Sequence, residues 1–215
     1  MTRDLMLRFA SLGDNCELGV VQERHNANPM DLFRWAATPT AVLIRLLREN
    51  FEAIGENLVV EVHGPAFMVT NHHYGFCWHD WKRAKRFSAA DIAERDRRRL
   101  PAMAAKLRRE MRAGSRIFVV KQGLEPMSRT TAEQVHQAMS VRGKPLLLYV
   151  NQGAPVSVTE LAPRLFNGTI PAFAHPDRVP ATVRVADWAV MCQMTAALAD
   201  ERYPELKPVP TVAAP

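Results

Sequence analysis

The stretch 116–151 constrains the fold most. Arg116–Lys121 is a short apolar run, a helical pattern follows near Thr130–Ser140, and Pro145–Asn151 is a second apolar run. Two strands joined by a helix cannot pair as a hairpin. They form a β-α-β unit, which favours a parallel pair with a right-handed crossover. Strands that are apolar at nearly every position must be covered on both faces, so helices are expected above and below. The expected fold class is therefore α/β: a mixed sheet with flanking helices and this β-α-β unit in the second half.

The rest of the chain extends that reading. Residues 5–12 read as a short, mostly buried strand. Gly13-Asp14-Asn15 supplies a turn, and a helix runs from Cys16 to about Glu23 with Leu18, Val20 and Val21 facing inward. A loop over 26–39 contains Pro29, Asp31, Phe33 and Trp35, and a helix follows from Thr40 to about Asn50. Residues 57–63 and 66–80 read as two strands joined at Gly64-Pro65, an antiparallel excursion. Ser88, with Asp91 three residues on, caps a long basic helix that Pro101 should kink or divide and Gly114 should end. Residues 152–182 show no firm period. A last helix spans about Val185–Ala199, giving one domain over 1–203 and a Pro-rich, disordered tail over 204–215.

Length and composition narrow the function. A chain of 215 residues, 47% hydrophobic and 23% charged, can build its own core. No stretch has the apolar length of a membrane span, and the first residues lack the apolar core of a secretory signal. Three cysteines without framework spacing read as reduced thiols, which suits a cytoplasmic protein of bacterial type. The net charge of +6 concentrates in 82–112, where Asp91, Glu94, Asp96 and Glu110 interleave with the cations. No aromatic residues alternate with the arginines, so a solvated helix face is favoured and nucleic acid is not expected.

Two segments carry candidate chemistry. In Ser11-Leu12-Gly13-Asp14-Asn15-Cys16 a strand ends, a glycine turns the chain, and a cysteine opens a helix. The unpaired N–H groups of a helix start favour a thiolate, so the Cys16 pKa should fall below the free value. The same groups, with the amide of Asn15, could hold an oxyanion. In His72-His73-Tyr74-Gly75-Phe76-Cys77-Trp78-His79-Asp80, strand alternation puts His73, Cys77 and His79 on one face. Tyr74, Phe76 and Trp78 take the other. A cysteine nucleophile needs an imidazole as base and acid, and His79 is the candidate. Asp80 points away, leaving Asn151 and Asp187 as open choices for the group that orients it. Cys77 and His79, helped by His73 or His63, have ligand types that suit zinc, but the spacing matches no structural zinc pattern.

The ordered elements Ser11–Cys16, Pro29-x-Asp31…Trp35, Tyr74-Gly75…His79-Asp80 and Arg116–Val120 resemble a bacterial domain-of-unknown-function family described as papain-like cysteine peptidases. The likeness covers 7–151. It implies a cysteine nucleophile at Cys16, a histidine at His79, no cofactor, and an unknown peptide or acyl substrate, with a role beside glycan metabolism open. The expected function is thus a cysteine-dependent hydrolase or acyltransferase. The alternatives are a non-catalytic module whose basic helix docks an acidic glycan or protein, and a zinc-dependent hydrolase.

Overall fold

The computed structural model describes residues 2–14, 16–123, 125–175 and 179–206. It contains a five-stranded sheet in the order β1-β6-β7-β9-β8 and a four-stranded antiparallel sheet in the order β2-β5-β4-β3. The first comprises β1 (Phe9–Ser11), β6 (Ile117–Lys121), β7 (Leu146–Gln152), β8 (Ser157–Ala162) and β9 (Leu165–Ile170). Strands β1, β6, β7 and β9 run parallel, and β8 is the antiparallel edge. The second comprises β2 (Ala36–Ala37), β3 (Leu58–His63), β4 (Ala66–Asn71) and β5 (Phe76–Asp80). The chain is α/β, as expected, and the excursion near 57–80 forms a separate sheet.

Period-two alternation divides the core. On β6, Ile117 and Val119 face one cluster, while Phe118 and Val120 face the other. On β7, Leu146, Leu148 and Val150 join the first, Leu147 and Tyr149 the second. Helices α1 (Arg3–Leu7), α2 (Glu17–Arg24) and α6 (Val185–Arg202) supply Met6, Leu18, Val21, Trp188 and Met191 to the first cluster. Helices α3 (Thr40–Arg48), α4 (Ala89–Ala113) and α5 (Arg129–Ser140), with the inner face of the small sheet, fill the second. No helix among the described residues is long and apolar enough to cross a membrane.

The structure corrects four local expectations. Residues 5–12 are not one strand. Thr2 caps a first helical turn, its hydroxyl accepting from the Leu5 N–H at 3.3 Å, and only Phe9–Ser11 pair in the sheet. Residues 66–80 are two strands, because the Asn71 side chain accepts from the Tyr74 N–H at 2.8 Å and closes a turn over 72–75. His73 therefore lies in that turn, its ring 4.6 Å from that of Tyr74, and not on the face of Cys77 and His79. Pro101 does not divide the basic helix: α4 runs unbroken from a full capping box at Ser88 and Asp91 to a left-handed Gly114 cap. Fourth, 152–182 holds the β8–β9 hairpin. β8 is a partly exposed edge with an irregularity between Glu160 and Ala162, which breaks the alternation that would have revealed it. In the expected tail, Pro204–Leu206 form a 3-10 turn anchored by the Glu205–Arg164 ion pair, while 207–215 lie outside the described residues.

Candidate functional site

The carboxyl edge of a parallel sheet is where α/β proteins usually place ligands, and Cys16 stands there. After β1, the Ser11 hydroxyl accepts from the Gly13 N–H at 3.1 Å. Gly13 has φ +102°, and a Cβ on it would fall 2.7 Å from the Thr38 Cβ, so the turn requires glycine. Asp14 then accepts a hydrogen bond from the Gly123 N–H beyond β6. Cys16 is the residue before the first turn of α2 and is partly buried, with no side-chain capping bond. Asn15, the expected oxyanion donor, lies outside the described residues.

Lys121, at the end of β6, is the cation beside Cys16. It is buried, with Nζ 3.5 Å from Glu17 Oε1, donating to the Gly123 carbonyl at 2.8 Å and lying 4.2 Å from the centre of the Phe173 ring. The other Glu17 oxygen accepts from Trp188 Nε1 at 3.0 Å. Three titrating groups are perturbed at this edge. Burial raises the Asp14 carboxyl against the pull of Lys121, and burial lowers the Lys121 ammonium against Glu17 and Asp14. The Cys16 thiol is raised, contrary to expectation. Burial is the main cause and the Glu17 charge adds to it; together they outweigh the hydrogen bond from its own N–H and the charge of Lys121.

His79 belongs to the small sheet. On β5, Phe76, Trp78 and Asp80 point inward while Cys77 and His79 point outward, as the alternation predicts. The His79 ring stacks on Trp81 at 5.1 Å and 17°, and lies 5.4 Å from the His63 ring. Burial, then the neighbouring His63, lowers its pKa, so at neutral pH it is the unprotonated form that can accept a proton. It makes no hydrogen bond to Cys16 or to any other described residue. Of the proposed orienting groups, Asn151 exchanges two hydrogen bonds with the Met127 backbone, at 2.7 and 3.1 Å. Asp187 pairs with Arg184, and Asp80, facing inward, pairs with Arg95 and accepts from the Lys82 N–H. None of them orients His79. Among the described residues no group of three His, Cys, Asp or Glu side chains could hold a metal, so the zinc grouping of Cys77 and His79 is not assembled.

His79 instead opens on a cleft of about 360 Å³, whose walls include Arg34, Trp35, Trp81, Lys82, Arg95 and Arg99 but not Cys16. Trp35 links the two places. It lines the cleft, and its ring is 3.1 Å from where a Gly19 side chain would begin, one helical turn beyond Cys16. The basic helix is thus more than a solvated face: Arg95 and Arg99 reach the cleft, and Lys106 pairs with Asp31 at 2.6 Å. Sequence reasoning missed Lys121, Glu17 and Arg34. A lysine ending an apolar strand was the available signal for the first; nothing local marked the other two. No family model, no curated protein and no solved structure matches this chain.

Proposed function

We propose that the chain is a cysteine-dependent hydrolase or acyltransferase with Cys16 as nucleophile, in keeping with its resemblance to the papain-like family. The observation that supports this most is the cluster at the sheet edge. Asp14, Cys16 and Lys121 are perturbed together around a partly accessible thiol, and such clustering is typical of reactive sites. The Cys16 sulfur attacks an acyl carbon, forming an S–C bond as the carbon–leaving-group bond breaks. Lys121 supports the developing thiolate and oxyanion charge. His79, unprotonated at neutral pH, takes the thiol proton and returns it to the leaving group. That role requires the cleft and the sheet edge to close on one substrate across Trp35.

The test is acylation by p-nitrophenyl acetate, followed by mass spectrometry. The acyl group is expected on Cys16, with none on Cys192, which is fully buried and whose thiol burial pushes far up. Because the Cys16 thiol is raised, acylation climbs with pH through an inflection above the ordinary cysteine value. Lys121→Met moves that inflection higher still, and His79→Ala slows acylation below the inflection, where the thiol still carries its proton. Modification of Cys16 no faster than Cys77, and indifferent to Lys121, overturns the nucleophile. A slow His79→Ala with a normal Lys121→Met profile retains it with His79 as sole partner.

A further inference from the structure

Arg34 is buried, 6% exposed, yet has no ion-pair partner within 4 Å among the described residues. Its Nη2 donates to the Gly19 and Ala27 carbonyls at 3.2 Å each and to Asn28 Oδ1 at 3.1 Å. Its Nε is buried and donates to nothing. The nearby carboxylate of Asp31 is already committed: one oxygen meets Lys106 and Arg116 at 2.6 and 2.7 Å, the other Arg116 at 2.8 Å. Glu23 and Asp31 act on Arg34 from beyond that distance and its guanidinium lies over the Trp35 ring at 4.6 Å, so the buried cation is only partly compensated and an anion within reach would add to that.

The cleft beside it shows the same imbalance. Arg95 and Arg99 are matched by Asp80 and Asp96. Arg34 and the exposed Lys82 make no ion pair within 4 Å among the described residues, so the cleft keeps a cationic excess. Next to these cations the cleft offers the flat apolar surface of Trp81, which is 65% exposed and stacked on His79, while the Trp35 ring is covered by the Arg34 guanidinium at 4.6 Å. The His79 nitrogens have no hydrogen-bond partner among the described residues and can bond a hydroxyl. A guanidinium and an ammonium suit an oxyanion, indole faces suit the C–H face of a ring, and the volume is that of a small-ligand pocket.

We propose that this cleft binds an acidic sugar, a ring bearing a carboxylate or phosphate, with the anion received by Arg34 and Lys82 and the ring resting on the Trp81–His79 stack. The site stands on its own geometry and goes beyond the chemistry proposed for Cys16. The full chain would be titrated with glucuronate, glucose 6-phosphate, glucose, inorganic phosphate and AMP, followed by tryptophan fluorescence and calorimetry. At least one acidic sugar is expected to bind with Kd of about 1 mM or tighter, and whichever binds better identifies the anion. Glucose and phosphate should each bind about tenfold more weakly, the scale of one lost charge-assisted contact. Trp81→Ala, Lys82→Gln and Arg34→Gln should each weaken the acidic sugar about tenfold. Should Arg34→Gln fail to fold, the two exposed positions decide. Cys16→Ser should bind as the parent does, which separates this site from the nucleophile. Equal binding of glucose or phosphate, binding of AMP more tightly than of either acidic sugar, or full affinity in Trp81→Ala and Lys82→Gln, overturns the proposal.

Discussion

Glu17 is enclosed completely, with one carboxylate oxygen on the indole of Trp188 and the other facing Lys121. A buried pair of this kind is worth little against a well-packed apolar replacement, but breaking it strands the surviving charge. Glu17→Gln keeps an acceptor for Trp188 and leaves Lys121 without its nearest counter-charge. It should cost about 3 kcal/mol in urea unfolding, and Lys121→Met in the same chain should restore much of that. A loss below about 1 kcal/mol would mean that Asp14 alone compensates Lys121. None of this was legible from the residues. Glu17 follows Cys16 directly, and its partners lie 104 and 171 positions away. What the sequence did disclose was the turn before Cys16, because Gly13-Asp14 chemistry is local. It misled about the thiol itself, since the favourable field of a helix start is visible in sequence and the burial that opposes it is not.

At the scale of elements, local rules worked where each segment satisfied itself. The capping box at Ser88, the Gly114 cap and the outward pair Cys77 and His79 were all readable. The continuity of α4 through Pro101 was not, and the explanation lies on another segment. Proline has no N–H for the carbonyl of Arg97, one turn earlier, and that carbonyl faces Gly55 in the loop after α3. A Cβ on Gly55 would come within 2.7 Å of the Arg97 oxygen. The proline and the glycine are thus two halves of one close approach between helix and loop. Gly55→Ala should destabilise the protein by about 1–3 kcal/mol, since the obstructing atom is backbone and cannot swing aside. Thermal melts test this, and an unchanged midpoint would show that the loop simply moves away.

For the whole molecule, one ion cluster ties the layers together. Asp31, in the loop after α2, meets Lys106 on α4 and Arg116 before β6; Arg116 also bonds Glu110 and the Phe9 carbonyl of β1. Burial alone would raise the Asp31 carboxyl, but the hydrogen bonds and charges of Arg116 and Lys106 hold it below the usual range. A carboxyl depressed in the folded state adds stability that is present above its unfolded value, about 3.9, and lost as pH falls through the folded one. Unfolding free energy should therefore drop steeply below about pH 4. Asp31→Asn should flatten that acid limb while lowering stability at pH 7 by about 3 kcal/mol. Asp14, raised by burial, works in the opposite sense and partly offsets the slope. An acid limb identical in Asp31→Asn would assign the sensitivity elsewhere.

The pairing of β1 with β6 has a consequence in time. These strands are neighbours in the sheet, yet residues 12–116 separate them, whereas β6 and β7 are joined through α5 alone. Closing so long a span costs roughly (3/2)RT ln n, about 4 kcal/mol, and pairings this distant in sequence slow folding. Cys16, at the helix start after β1, and Lys121, at the end of β6, lie on the two sides of that closure. A chain in which β1 and β6 have not paired carries the cysteine without the lysine whose charge acts on it.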